Sequence, residues 1–165
     1  MKTVLLGMNN PQSSDPRHVL YPHPPGCAGH RLWTMLNTFA LALEPPISVT
    51  KLEYLRGFER INILDSAVWS ASAARERVDM ILERIRGRRV IMCGVTVPKI
   101  VGVHFEQWCE WDEAMSLIAP VFEFCVIPHP SGRCREYNDS GMRSCVGDLL
   151  LEEYRRGQLE LTTGV

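Results

Sequence analysis

The chain has no CxxC pair among its six cysteines and no surplus of charge of either sign. No apolar run approaches the roughly eighteen residues that a membrane helix needs. Each lack closes a class. Without paired cysteines there is no ribbon-type zinc motif, although scattered ligands leave a metal site open from sequence alone. Cys93 and Cys125 lie inside apolar runs, where buried free thiols are common. With no secretory leader, the expectation is a reducing compartment, free thiols, no metal and no cofactor. A net charge of −1 supplies no global basic field. That excludes a protein that coats nucleic acid, but not an enzyme that meets it through a local patch. Repeats, linkers and low-complexity segments are missing too. What remains is 45% hydrophobic and 22% charged over 165 residues, the balance of one folded domain spanning 1–165. A soluble, cytoplasmic monomer with no membrane partner is expected.

The patterning alternates between strand and helix. Thr3 to Leu6 reads as a buried strand, with Gly7 giving backbone freedom at its end. Leu32, Met35, Leu36, Phe39 and Leu43 repeat at helical steps within Ala28 to Leu43, and Pro45-Pro46 stops them. Leu52 and Leu55 suggest a short helix ending near Gly57. Ile61 to Leu64 reads as a strand running into Asp65-Ser66, and Ala71 to Arg86 as one amphipathic helix. Arg88 to Cys93 is a central strand closed by Gly94, and Thr96 to Val103 a short helix capped by Thr96. The stretch around Trp108 and Trp111 shows no period. Phe122 to Ile127 is a further strand, and Asp139 to Arg156 a last helix, with no assignment after Gly157. This alternation predicts an α/β fold: a three-layer α/β/α arrangement around a four-stranded, mostly parallel sheet.

Three strand ends carry polar groups: Gly7-Met8-Asn9-Asn10-Pro11, Leu64-Asp65-Ser66 and Pro128-His129-Pro130-Ser131-Gly132. A parallel sheet puts all three on one edge, where α/β proteins bind ligands. The first runs into a stretch, Gln12 to Gly29, with neither helical nor strand period, and such loops are usually functional or disordered. Blander readings stand beside this one. Asn9 is then a turn-former, Asp65 a cap, His129 structural, and Tyr21 and His23 loop packing. Arg133, Arg135 and Arg143 become a solvated face, and Trp33 a core residue.

With these residues in place, the chain resembles the uracil-DNA glycosylase superfamily over most of its length. Gly7-Met8-Asn9 matches the Asn-bearing first motif of the mismatch-specific and single-strand-selective branches. Tyr21-Pro22-His23-Pro24 followed by Arg31-Leu32-Trp33 is similar to the aromatic, His-Pro and Arg-Phe-Trp elements that come next. Pro128-His129-Pro130-Ser131-Gly132-Arg133 matches the second motif, and it follows the last strand.

The resemblance implies a monofunctional DNA glycosylase acting on a flipped uracil-like or modified pyrimidine. Breaking the bond leaves positive charge on the sugar and negative charge on the base. His129 would stabilise the departing base, as an oxyanion hole stabilises its anion. Asn9 would position the attacking water without acting as a base, which implies slow turnover. Tyr21 would stack on the base beside Met8. Ser131 and Gly132 would hold phosphates, and Arg133 would fill the gap in the duplex.

The chain departs from the pattern in two places. The second strand usually ends in an Asn that reads the pyrimidine edge, and Asp65 aligns there. A carboxylate only accepts hydrogen bonds, so it would read N3–H but not O4, which favours a modified or cytosine-like edge over uracil. Asn10 also stands where Pro is commoner. The iron–sulfur branch needs a Cys pair ahead of the first motif, which this chain lacks.

No Lys lies near either motif, which argues against a Schiff-base step. Two alternatives use the same pocket. One is a transferase acting on a flipped modified pyrimidine, and the other a catalytically silent nucleic-acid-binding module.

Overall fold

In the computed structural model, which describes residues 1–115 and 120–163, strands and helices alternate along the chain as the patterning requires. Strand β1 is Val4–Gly7, followed by helices α1 (Ala28–Leu41) and α2 (Lys51–Gly57) and strand β2 (Glu59–Asn62). Helices α3 (Ala71–Glu76) and α4 (Val78–Ile85) lead to β3 (Arg89–Cys93), and α5 (Thr96–Val101) leads to the hairpin of β4 (Trp111–Met115) and β5 (Pro120–Ile127). Helix α6 (Ser140–Thr163) ends the described chain, and residues 164–165 of the unassigned tail lie outside it. Among the described residues, no helix is long and apolar enough to cross a membrane.

The strand order is β2-β1-β3-β5-β4. The first four strands run parallel, and β4 pairs antiparallel with β5. The sheet is therefore five-stranded and mixed, not four-stranded. The added strand comes from the tryptophan stretch that showed no period, for a physical reason. As an edge strand, β4 buries only Ala114 and leaves Asp112, Glu113 and Met115 in solvent, so it carries no apolar run to read.

Alternation along the strands divides the core into two layers of packing. Leu5, Ile91, Cys93, Cys125 and Ile127 face α1, α2 and α6, against Leu32, Leu36, Tyr54, Val146 and Leu150. Val4, Leu6, Val90, Met92, Phe124 and Val126 face the other way, against Ala74, Ile81, Ile85, Val97 and Val101 of α3, α4 and α5. Both faces of the parallel strands are thus covered, as their near-continuous apolar runs demand.

Element boundaries differ from expectation in several places, three of which have a physical reason or bear on the site. The expected single helix over 71–86 is broken at Arg77, which ends α3, precedes α4 and sends its guanidinium to Asp65 at 2.8 Å. Strand β2 begins and ends two residues earlier than expected. Its opening residues are charged and half-buried because Glu59 is paired with Arg84 and Arg88, while Arg60 donates to the Val19 carbonyl at 2.8 Å. Helix α6 continues past Gly157 to Thr163.

Candidate functional site

Strand β1 lies between β2 and β3, so the chain's crossovers diverge at its carboxyl end, where open α/β sheets form their crevice. A cavity of about 420 Å³ opens there. Its base is Gly7, Met8, Asn62 and Cys93, from the ends of three adjacent strands. One wall is the loop bearing Asn9, Asn10, His18, Tyr21 and His23; another is the first turn of α1, and a third is His129, Ser131 and Gly132 after β5. Residues more than a hundred positions apart thus share one site. No Asp or Glu is among the lining residues, and among the described residues no cluster of His, Cys, Asp or Glu has the makings of a metal site.

Asn9 is held by its own side chain. Its Nδ2 donates to the carbonyls of Ser66 and Ala67 at 3.2 and 3.1 Å. Both partners are acceptors, so the amide orientation is set by chemistry. The amide donors are thereby used, and Oδ1 remains the group with no hydrogen bond among the described residues. An acceptor fixed this way can take a proton-bearing ligand, water included.

Asn62 closes β2. It is 5% exposed, and among the described residues its side chain makes no hydrogen bond. Its amide lines the cavity and is not a buried unsatisfied group, so its donors and acceptor are open to water or a ligand there. Gly7 makes room for it: a Cβ there would stand 2.6 Å from Asn62 Oδ1.

His129 follows β5, whose end is tied down by Tyr137 Oη donating to the Pro128 carbonyl at 2.7 Å. Burial lowers its pKa from the ordinary 6.5, so a neutral imidazole, one donor and one acceptor, faces the cavity at neutral pH. Gly94, at φ +86°, seats the ring; a Cβ there would lie 3.0 Å from that of His129. Cys93 beside it has its thiol pushed up to about 12 by burial, so it is no nucleophile at neutral pH.

The long loop is ordered by internal bonds. Asn10 accepts from Gln12 N at 3.0 Å and donates to the His18 carbonyl at 3.1 Å. Ser13 Oγ meets His18 Nδ1 at 3.0 Å, and the His18 ring stands edge-on to Tyr21 with centroids 5.7 Å apart. The loop backbone packs directly on α1, where a Cβ at Gly29 would fall 2.1 Å from the Leu20 carbonyl oxygen. Cys27 caps that helix, its sulfur accepting from His30 N and donating to the Tyr21 carbonyl at 3.2 Å. The departure of Asn10 from Pro thus has a structural use.

Of the residues singled out from sequence, Met8, Asn9, Tyr21, His129, Ser131 and Gly132 line the cavity. Asp65 and Arg133 do not. Asp65 lies beyond the true end of β2, on the surface and paired with Arg77, because the strand stops three residues earlier. Arg133 is exposed on the turn after Gly132. The residue missed was Asn62. Its signal was present: a lone amide inside Ile-Asn-Ile-Leu is a polar group in a buried strand. Cys93, Gly29 and Gly94 left no comparable mark.

Set against known proteins, the chain matches no family model. No curated protein matches it either.

Proposed function

We propose that this site hydrolyses the N-glycosidic bond of a pyrimidine deoxynucleotide, the reaction of a DNA glycosylase, on a fold of the uracil-DNA glycosylase kind. The observation that carries the reading is Asn62. An amide both donates and accepts, which the N3–H and O4 edge of uracil requires and a carboxylate at Asp65 would not supply. Its place at the end of the second strand is where the resemblance expects the pyrimidine reader. An amide at that place supports uracil or a close relative as the base.

The remaining groups divide the work. Neutral His129 donates its N–H to the base oxygen, where negative charge collects as the bond breaks. Asn9 Oδ1 accepts from water and aims it at the sugar carbon that becomes positive. Tyr21, 38% exposed at the mouth, offers a ring on which the base can stack. With no carboxylate in the lining, nothing deprotonates the water ahead of bond cleavage. The bond therefore breaks first and water captures the cation, which keeps turnover slow.

The test is mass spectrometry of the base released from deoxyuridine and 5-hydroxymethyldeoxyuridine nucleotides, free and within oligonucleotides. Release of the base with an abasic sugar left behind is expected. A changed base still attached to its sugar would favour the transferase reading, and no change in any substrate would leave only a binding module.

A further inference from the structure

The cysteines of the chain are all free thiols, and base release uses none of them. Two of them meet away from the cavity, on the face of the sheet that α6 covers. Pairing of β4 with β5 sets Trp111 opposite Cys125, and just ahead of β4 Cys109 N donates to the Val126 carbonyl at 2.9 Å. Cys109 and Trp111 both pack against the core layer that holds Cys125, Val146, Leu149 and Leu150. On α6, Met142, Cys145, Val146 and Leu149 recur at steps of three and four, so Cys145 belongs to the stripe that faces this layer. The Cys109 and Cys145 side chains share a hydrogen bond, and Cys125 stands near both.

Neither member of the pair is sealed. Cys109 and Cys145 are half-buried, whereas Cys125 is fully buried. Cys109 also takes the left-handed backbone at φ +63°, which glycine would adopt at less cost. The thiol there is kept against a backbone penalty. Burial and the neighbouring Cys145 both raise the Cys109 pKa, so Cys109 stays protonated at neutral pH. Cys145 is then the attacking thiol and Cys109 the resolving one.

We propose that Cys109 and Cys145 are a peroxide-sensitive dithiol that closes a reversible disulfide between the turn before β4 and α6. The Cys145 sulfur attacks one oxygen of hydrogen peroxide, the O–O bond breaks, and the Cys145 proton leaves with the departing hydroxide as water. The Cys109 sulfur then attacks the sulfenic sulfur, the S–O bond breaks, and the hydroxyl leaves as water with the Cys109 proton. Two thiols lose two electrons, and one peroxide becomes two waters. A dithiol reductant reverses the bridge by exchange. The bridge closes a covalent loop over residues 109–145, which carries β5, His129 and the 131–132 turn. It staples one wall of the cavity to α6 and stabilises the oxidised chain by restricting its unfolded state. This inference does not depend on the glycosidase reading.

The experiment exposes the full chain to hydrogen peroxide, alkylates the remaining thiols and maps unreduced peptides by mass spectrometry. A Cys109–Cys145 cross-link that dithiothreitol removes is expected. The oxidised chain should melt about 4–16 °C above the reduced one. Cys145→Ser should lose both the cross-link and the rise, while Cys125→Ala should keep both. Cys109→Ser should stop at a sulfenic acid on Cys145, trapped by dimedone. Full alkylation of both thiols after peroxide, or a cross-link that runs through Cys125, overturns the proposal. A Cys109–Cys145 cross-link with an unchanged melting point overturns its role as a staple.

Discussion

The two ends of the parallel sheet handle polar groups in opposite ways. At the amino end Arg89, under the Trp111 ring with its guanidinium 3.7 Å from the centroid, is hydrogen-bonded to both Glu123 and the fully buried Glu153. Thr3 Oγ1 completes Glu153 at 2.6 Å, and Arg88 pairs with Glu59 at 2.6 Å while donating to the Lys2 carbonyl. Burial by itself would lower the Arg89 pKa, but the Glu153 and Glu123 partners raise it. At the carboxyl end, among the described residues, Asn62 has no hydrogen-bond partner, Asn9 keeps an acceptor open and burial lowers the His129 pKa. At the amino edge the carboxylates are paired within the fold, although among the described residues Arg88 Nε and Trp111 Nε1 are buried without a hydrogen bond, whereas at the other edge the amides and the imidazole face the cavity. That difference separates framework from site more reliably than burial does, because Glu153 and Asn62 are both buried.

The largest expected effect breaks the amino edge. Glu153→Ala takes the buried partner from Arg89, which keeps only Glu123 and the Trp111 ring, and should cost about 3 kcal/mol in urea unfolding, with base release per folded molecule unchanged. At the carboxyl edge the pattern reverses. His129→Ala and Asn62→Leu should lower the rate of base release by about 10²- to 10³-fold. Asn62→Leu should at the same time leave stability within about 0.5 kcal/mol, since the amide makes no hydrogen bond among the described residues and opens to the cavity. A loss of stability on Asn62→Leu would mean that the amide is structural.

Acid sharpens the contrast. His129 has its folded pKa below the ordinary 6.5, so the unfolded chain binds its proton first and stability falls as pH drops below that value. Base release should fall in the same window as the ring charges. Glu59 is different. Burial by itself would raise its pKa, but hydrogen bonds from Arg88 and Arg84 lower it below the ordinary 4.5. Its contribution is complete above 4.5 and is lost only as pH falls through the lower folded value. Activity should therefore decline before the amino edge weakens, which parallel pH series of rate and unfolding midpoint will check. The smallest effect is expected of Arg133→Ala, whose side chain lies outside the cavity; base release from a free deoxyuridine nucleotide should change less than about twofold, within the usual range for surface substitutions.

The fold was legible where burial leaves an apolar run: β1, β3 and β5 read correctly because both their faces are covered. β4 was invisible because an edge strand with Asp112 and Glu113 in solvent has no such run. Two strand ends of the site were legible because Gly and Pro punctuate them, at Gly7 to Pro11 and Pro128 to Gly132. The third was misplaced because the charged start of β2, Glu59-Arg60, hides a strand whose charges are satisfied across the sheet. Its end was therefore read at Asp65, not at Asn62. Glycines such as Gly29 and Gly94 look like any others until the backbone carbonyl or the imidazole beside them is known.

The most direct measurement of the central claim is a nuclear magnetic resonance titration with uracil. The side-chain amide of Asn62 and the ring of His129 should shift together, along a single saturation curve. Asp65, Arg133 and the Arg89–Glu153 pair should stay still. Uracil that leaves Asn62 and His129 unmoved, or that shifts Asp65 in their place, would contradict the assignment of this edge as the base-binding site.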